Sequence, residues 1–533
     1  MGFDLLITNA TVVDGTGGEP FLGGAAVAAG RIAAVWRAGA PDAPRADNAA
    51  EVVDAAGRLL TPGFVDVHSH SDFNILIEPG GHSKIFQGIT TEIVGNCGMS
   101  AFPLDATMRS EEWEIRPRRG LDPDWDTAGG YMERLEAARP AFNVASFVGH
   151  GNVRGVAMGF ADRPAGPDEM RAMERLVDEA MDAGALGMST GLIYAPGMFA
   201  GTDEIVALQR AAARRGGIYA SHVRGEGDSL VRASAEFFDV VGSVGCQAQY
   251  SHLKASGRRN WGRVAGIMER IERENAAGAR IRFDKYPYTA SSTELATMLP
   301  RWARSGGQAE GVARLRDAAT RARVVAEMRE DFGEHEPWDG VLLVDAGNPA
   351  HAAWQGASFA RIAEREGADP YDVFVEVLIG SRMGATISSF TMSQEETDAA
   401  ILHPLGMVCS DGECRCTRGP LAEGIPHPRS FGAFGRFFRE YVKERALLPL
   451  ADAVEKVTAL PCETFGFRER GLVRGGFHAD LLLLDWERYR DRADFANPHQ
   501  YCEGVDMVVV NGVVTVRDGE LTGRRGGVPL RRA

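Results

Sequence analysis

Between residues 62 and 471 the chain repeats one pattern, a short apolar run followed by a longer stretch of helical periodicity. The apolar runs lie at 64–67, 90–94, 143–148, 185–188, 218–221, 246–251, 282–284 and 405–410. Helical stretches at 83–87, 168–183, 202–214, 229–240, 261–275 and 430–442 carry apolar side chains every three or four positions. Strands that are apolar without alternation belong to parallel sheets covered on both faces. Strand and helix alternating in this way predict an α/β protein built on a (β/α)8 TIM barrel.

The two ends follow another pattern. Residues 4–9, 10–13, 25–29, 31–36 and 52–60 read as short strands broken at Asp14-Gly15, Gly30 and Gly57, with a Pro, Ala and Asp rich loop at 38–50. Residues 479–485, 506–510 and 513–516 read likewise, with turns at Asn511-Gly512 and Asp518-Gly519. Neither set has volume for its own core. Residues 1–61 plus 472–533 are therefore expected to form one small composite β-sandwich beside a barrel of 62–471; two separate flaps are the alternative. Residues 290–400 separate the seventh and eighth strands and exceed any ordinary βα loop. Helical patterns at 295–301, 311–328, 358–365 and 371–378 make this an inserted, lid-like helical segment.

Composition narrows the class. Of 533 residues, 44% are hydrophobic and 25% charged, which excludes a disordered chain. The net charge of −15, with no basic stripe, argues against a nucleic-acid partner. No apolar run is long enough to span a membrane, and the N-terminus lacks the basic n-region of a signal peptide. Seven Cys are too few and too scattered for a disulfide framework, so a reducing cytoplasm is expected.

The chemistry gathers at strand ends. His68 and His70 follow the first barrel strand and face the same way at period 2. Cys97 follows the second, and His222, His252 and Asp411 end three later ones. Closing a barrel brings those ends to one rim, where barrel active sites lie. Imidazole and thiolate together favour Zn, Co or Fe over Mg or Ca. A zinc site of this kind lowers the pKa of water and polarises a carbonyl, while Asp411 is placed to hold that water and move its proton. The pattern describes hydrolysis of a C–N bond.

The matching stretches are 62–72 (PGFVDVHSHSD), 95–98 (GNCG), 221–227 (SHVRGEG), 251–254 (SHLK), 286–290 (YPYTA), 410–412 (SDG) and 427–429 (HPR). On these the sequence, from about residue 4 to 520, resembles the N-acyl-D-amino-acid deacylase (D-aminoacylase) family of the amidohydrolase superfamily. The resemblance implies a metal-bearing barrel plus a small β domain from both chain ends. It implies that Cys97 stands where most of the superfamily has a bridging carboxylated lysine. Cys97, His222 and His252 would hold one tightly bound zinc, with His68 and His70 bordering a second, weaker site. Asp411 would be the general acid/base. Lys254, Arg429 and one of Tyr286 or Tyr288 would grip the α-carboxylate of a small-molecule N-acyl amino acid.

Arg224 and Glu226 read either as partners that orient His222 or as a plain ion pair. His150, near the third strand end, is a candidate for substrate contact or for packing. His82, His335, His351, His403, His478 and His499 receive no role. One departure from the family pattern is the loop 412–426, which brings Cys414, Cys416, Arg415 and Arg418 to the mouth. With Cys409 these thiols lack ordinary zinc-ribbon spacing and are expected to be free. A hydantoinase-like cyclic-amide hydrolase is the alternative enzyme; a silent binding barrel and a nucleobase deaminase fit less well. A monomer and a small homo-oligomer both remain open.

Overall fold

The computed structural model describes residues 2–112, 119–333 and 335–532. Among the described residues, eight barrel strands are paired in parallel. They are β1 (Phe64–Asp66), β2 (Ile89–Val94), β3 (Asn143–Ser146, continued by Val148–Gly149), β4 (Gly187–Gly191), β5 (Ile218–His222), β6 (Gln247–Tyr250), β7 (Arg280–Lys285) and β8 (Gly406–Val408). The ring closes just past the ends of β8 and β1. There Ser69 bridges Gly412, the Asp411 amide donates to the His68 carbonyl at 2.8 Å, and the His70 amide donates to the Gly412 carbonyl at 3.1 Å. The (β/α)8 expectation holds.

The outer helices form for local reasons. Pro167–Asp182 has Pro at its first position, and the Glu169 carboxylate accepts the Gly166 amide at 2.7 Å. Its buried Met173, Val177, Ala180 and Met181 recur at helical spacing and face the barrel.

A buried cation ties the closing strands together. Lys84 is fully enclosed, its Nζ 2.9 Å from Asp66 Oδ2, 2.6 Å from Glu92 Oε1, 2.8 Å from Ser410 Oγ and 3.1 Å from the Gly412 carbonyl. Burial alone would push its pKa down; the Asp66 and Glu92 carboxylates outweigh that and push it up, so the amine stays charged.

Both chain ends enter one sheet. Leu481–Leu484 pairs antiparallel with Leu59–Pro62 on one side and with Val505–Val510 on the other. Beyond Leu59–Pro62 lie Leu5–Val12, Phe21–Ala28 and Arg31–Arg37. The four-leucine strand is buried on both faces. Leu481 and Leu483 join a cluster with Leu5, Ile7, Val27 and Val509, whereas Leu482 and Leu484 join the barrel core, as period 2 demands.

The insertion carries more than the helices its pattern predicts. Ala290–Glu294, Val341–Asp345 and Thr386–Phe390 form a three-stranded antiparallel sheet, against which Phe359–Glu366 and Pro370–Gly380 pack in a separate apolar cluster. Two of these strands, ASSTE and TISSF, are too polar to be read as strands from the pattern. Among the described residues, no helix is long and apolar enough to cross a membrane.

Removing the seam cation leaves Asp66 and Glu92 buried without their counter-charge. Lys84→Met is expected to cost about 3–5 kcal/mol in unfolding free energy or to prevent soluble accumulation. Urea unfolding followed by circular dichroism checks this; a loss under about 1 kcal/mol would contradict the assigned role.

Candidate metal centre

Six side chains converge on the C-terminal rim of the barrel. Cys97 Sγ lies 3.3 Å from His68 Nε2, 3.6 Å from His222 Nδ1 and 3.4 Å from His252 Nε2. Asp411 Oδ1 lies 3.1 Å from His70 Nε2 and 3.4 Å from His68 Nε2. Two ligand-capable groups result, one of His68, His70, Cys97 and Asp411, the other of Cys97, His222 and His252, and Cys97 belongs to both. The spacing fits zinc. Bond lengths of about 2.3 Å to sulfur and about 2.05 Å to nitrogen put two tetrahedral ligands about 3.6 Å apart.

Strand ends alone do not aim these groups. Cys97, His252 and Asp411 all adopt positive φ, at 54°, 36° and 47°. Such left-handed backbone is costly for residues other than Gly and concentrates at functional sites. The turn at Cys97 is held by Gly95 and Gly98, both at positive φ, where a Cβ would come within 2.2 Å of the Phe147 carbonyl and 2.6 Å of the Gly191 nitrogen.

A further layer orients the imidazoles. Asp284 Oδ1 lies 3.3 Å from His68 Nδ1 and accepts the His252 amide at 2.9 Å; Gln249 donates to the same carboxylate. Glu226 Oε1 lies 3.2 Å from His252 Nδ1, 3.6 Å from His222 Nε2 and 2.6 Å from Lys254 Nζ. Arg224 does not join it. Its guanidinium is committed to Glu236 at 2.8 Å and to the carbonyls of Met198 and Ala200 at 3.0 Å.

The cluster opens into a cavity of about 320 Å³. Lys254, Tyr286 and Arg429 line it together. Arg429 Nη1 donates to Asp411 Oδ2 at 2.7 Å, and its Cζ stands 4.8 Å over the Tyr286 ring. Tyr288 is outside this wall, buried between Arg436, His427 and Phe495. His150 is outside it too. It is fully buried with Nε2 2.9 Å from Glu204, which also takes Arg154, so it serves packing and hydrogen bonding away from the cavity. Two residues that sequence reasoning passed over belong to the site. Asp284 is the penultimate residue of β7, close enough to the strand end for the rule that selected Asp411 to have considered it. Tyr194 lines the cavity and sets its ring edge-on to His222 at 5.2 Å, and its place in a loop gave no signal.

Electrostatics match metal-binding chemistry. Burial opposes ionisation of Cys97, yet the His68 and His252 imidazoles hold its thiol well below the usual range. Burial likewise opposes Asp411, and Arg429, His252 and His68 hold that carboxyl well below its ordinary value. Burial would lower His70, but hydrogen bonds to Asp411 and Cys97 raise it to about 9.

A parallel barrel whose first strand delivers two histidines, with a cysteine, two more histidines and an aspartate from later strands, defines the amidohydrolase class of metal-dependent barrel. The chain belongs to the amidohydrolase family, whose model matches residues 51–516. It is 35% identical over 530 residues to an N-acyl-D-glutamate deacylase of Alcaligenes xylosoxydans xylosoxydans, covering 99% of this chain and 96% of that one. It is 35% identical over 526 residues to an N-acyl-D-aspartate deacylase of the same organism, covering 98% and 93%. A solved structure of N-acyl-D-glutamate deacylase from Bordetella bronchiseptica, complexed with zinc and a phosphonate mimic of the tetrahedral intermediate, superposes with TM-score 0.83 at 32% identity and full coverage of both chains.

Glu226→Gln is expected to weaken zinc binding about 10–100-fold, because Glu226 fixes the ligand imidazoles; zinc competition with a chromophoric chelator measures it, and unchanged affinity would remove Glu226 from that role. In the metal-free protein His70 carries a proton up to about pH 9. Its pairing therefore stabilises the apo fold fully below the ordinary His value near 6.5, and that contribution is lost as pH rises towards 9. An ion must displace the same proton, so zinc uptake should strengthen from pH 7 to about 9 with proton release, read by calorimetry in buffers of different ionisation heat.

Proposed function

We propose that the protein is a zinc-dependent hydrolase of the amide bond of N-acyl-D-amino acids, releasing a carboxylate and a D-amino acid. The observation that carries this reading is the Cys97 thiol shared by two ligand groups in a cavity whose wall also presents Lys254 and Arg429. The D configuration rests on the two deacylases that share 35% identity with this chain over nearly its full length.

In this reading Cys97, His222 and His252 hold one ion tightly, and His68 and His70, with Cys97 and Asp411, border a second, weaker site. A zinc ion bound there supplies Lewis acidity towards the acyl carbonyl and brings a water towards ionisation at neutral pH. Asp411, kept ionised by Arg429, His252 and His68, accepts the proton of the attacking water and returns it to the departing nitrogen. Asp284 and Glu226 hold the imidazoles in register during that transfer.

Lys254 and Arg429 grip the α-carboxylate of the substrate, with Tyr286 between them. Each cation already has one interior carboxylate, Glu226 and Asp411 respectively, which fixes its position. The remaining N–H donors of the planar Arg429 fork suit a second carboxylate. A cavity of about 320 Å³ admits a small N-acyl amino acid.

Purified enzyme of known metal content is assayed on N-acetyl-D-methionine, N-acetyl-D-glutamate, their L forms and a hydantoin. Turnover of a D form is expected, with Asp411→Asn lowering kcat about 10²–10⁴-fold. Zinc bound without turnover of any N-acyl-D-amino acid would sink the substrate assignment. Arg429→Met should raise KM for the D substrate and, because Arg429 also keeps Asp411 ionised, lower kcat as well.

A further inference from the structure

The loop 412–426 and the segment after β1 bring a second set of metal-capable side chains together. Glu78, His82 and Cys416 each place a ligand atom within 4.8 Å of the other two. None of the three belongs to the centre around Cys97. We propose that they hold a divalent cation of the zinc class, which fastens this loop across the barrel seam. The assignment is independent of the hydrolytic reading.

The donor set decides the class of ion. One thiol, one imidazole and one carboxylate form a mixed set that zinc accepts and that Mg or Ca does not favour. Glu78 and His82 stand four residues apart around the turn that opens the short helix His82–Ile85. His82 Nδ1 lies 3.3 Å from the Tyr501 hydroxyl, which leaves Nε2, 3.9 Å from Glu78 Oε1, for the ion. This is the outer-partner arrangement that fixes the ring of a ligating histidine. Tyr501 is itself anchored, its hydroxyl taking the Thr417 amide at 3.0 Å and its ring packing on Phe86 at 5.0 Å. Glu78 Oε1 accepts the Gly80 amide at 3.1 Å, which orients the carboxylate. Cys416 is 4% exposed and Glu78 and His82 are only partly covered, so the thiol is sheltered while the three ligand atoms stay reachable from solvent.

The placement explains what such an ion would do. The same loop is already stitched to the segment after β1: the Cys414 amide donates to Ser71 Oγ at 2.7 Å, and the Arg415 amide donates to Ser83 Oγ at 2.8 Å. It also sends Glu413 and Arg415 into the cavity wall. A tie through Cys416 to Glu78 and His82 adds a further stitch and holds those two charged side chains at the mouth.

Cobalt substitution gives a test without reference to catalysis. In Cys97→Ala the thiol of the main centre is gone, so a thiolate-to-cobalt charge-transfer band must come from another cysteine. The band is expected to persist in Cys97→Ala and to vanish in Cys97→Ala/Cys416→Ser. In the native background, Cys416→Ser and His82→Asn should each retain one zinc fewer per chain than wild type after desalting, measured by elemental analysis. Absence of the band in Cys97→Ala, its survival in the double variant, or equal zinc content in wild type and both single variants would overturn the proposal. If Cys416→Ser does not fold, Glu78→Gln and His82→Asn in the Cys97→Ala background decide it by weakening or abolishing the same band.

Discussion

A single ammonium group at the barrel seam sets where the chemistry can be. Lys84 sits between Asp66 at the end of β1, Glu92 on β2 and Ser410 beside β8, all of them buried. Two carboxylates in such a place repel each other and are poorly solvated; one amine between them turns that liability into a clamp. Asp66 also accepts the Ser410 amide at 2.9 Å, which fixes the register of β8 against β1. His68 and His70 follow Asp66 by two and four residues, and Asp411 follows Ser410 directly. The separation of these three side chains is therefore inherited from the seam. A barrel that closed one residue out of register would turn these side chains to the opposite face of the sheet and lose the cluster.

The cluster itself depends on charge balance around Cys97. Four histidines, Lys254 and Arg429 crowd one buried region, and they are tolerated because Cys97, Asp411, Asp284 and Glu226 are interleaved with them. Burial works against every one of these anions, and in each case neighbouring cations or protonated imidazoles prevail. The left-handed backbone at Cys97, His252 and Asp411 is the conformational cost of aiming the groups inward from strand ends. The glycines beside Cys97 relieve crowding at that turn but not the strain at Cys97, so the packed barrel around it must hold the conformation.

Much of this was legible in the sequence, for identifiable reasons. Parallel strands covered on both faces leave apolar runs, and barrel closure turns their C-terminal ends into one rim, so His68, His70, Cys97, His222, His252 and Asp411 could be grouped without a structure. Long-range pairing was less accessible. Nothing local shows that Lys84, in a short helix after β1, reaches Ser410, or that Glu226 spans His222, His252 and Lys254. His150 and Arg224 lay close in sequence to rim residues, but their polar atoms were satisfied elsewhere, by Glu204 and by Glu236. Tyr286 and Tyr288, two residues apart, differ only in which one faces the cavity, and an irregular segment gives no periodicity to decide that. The sheet of the insertion escaped notice because its central strand, Thr386–Phe390, and one edge strand, Ala290–Glu294, are serine and threonine rich and only partly buried.

The loop 412–426 shows how one segment can couple closure, cavity and surface. Gly412 pairs with both His70 and Lys84 through its carbonyl, and a Cβ there would fall 2.9 Å from Ser430 Oγ and 3.0 Å from its Cα. The loop therefore leaves the seam along one narrow path. Glu413 and Arg415 turn to the cavity, paired at 2.9 Å, while the alternate residues Cys414 and Cys416 turn into the protein. That alternation lets four consecutive residues serve two environments. The side chains of 413 and 415 line the cavity wall, whereas the backbone of 414 and 415 binds the loop to the β1 side of the barrel. Changes of substrate within such a scaffold are then free to occur at the mouth without disturbing the register that places Asp411 against the histidines.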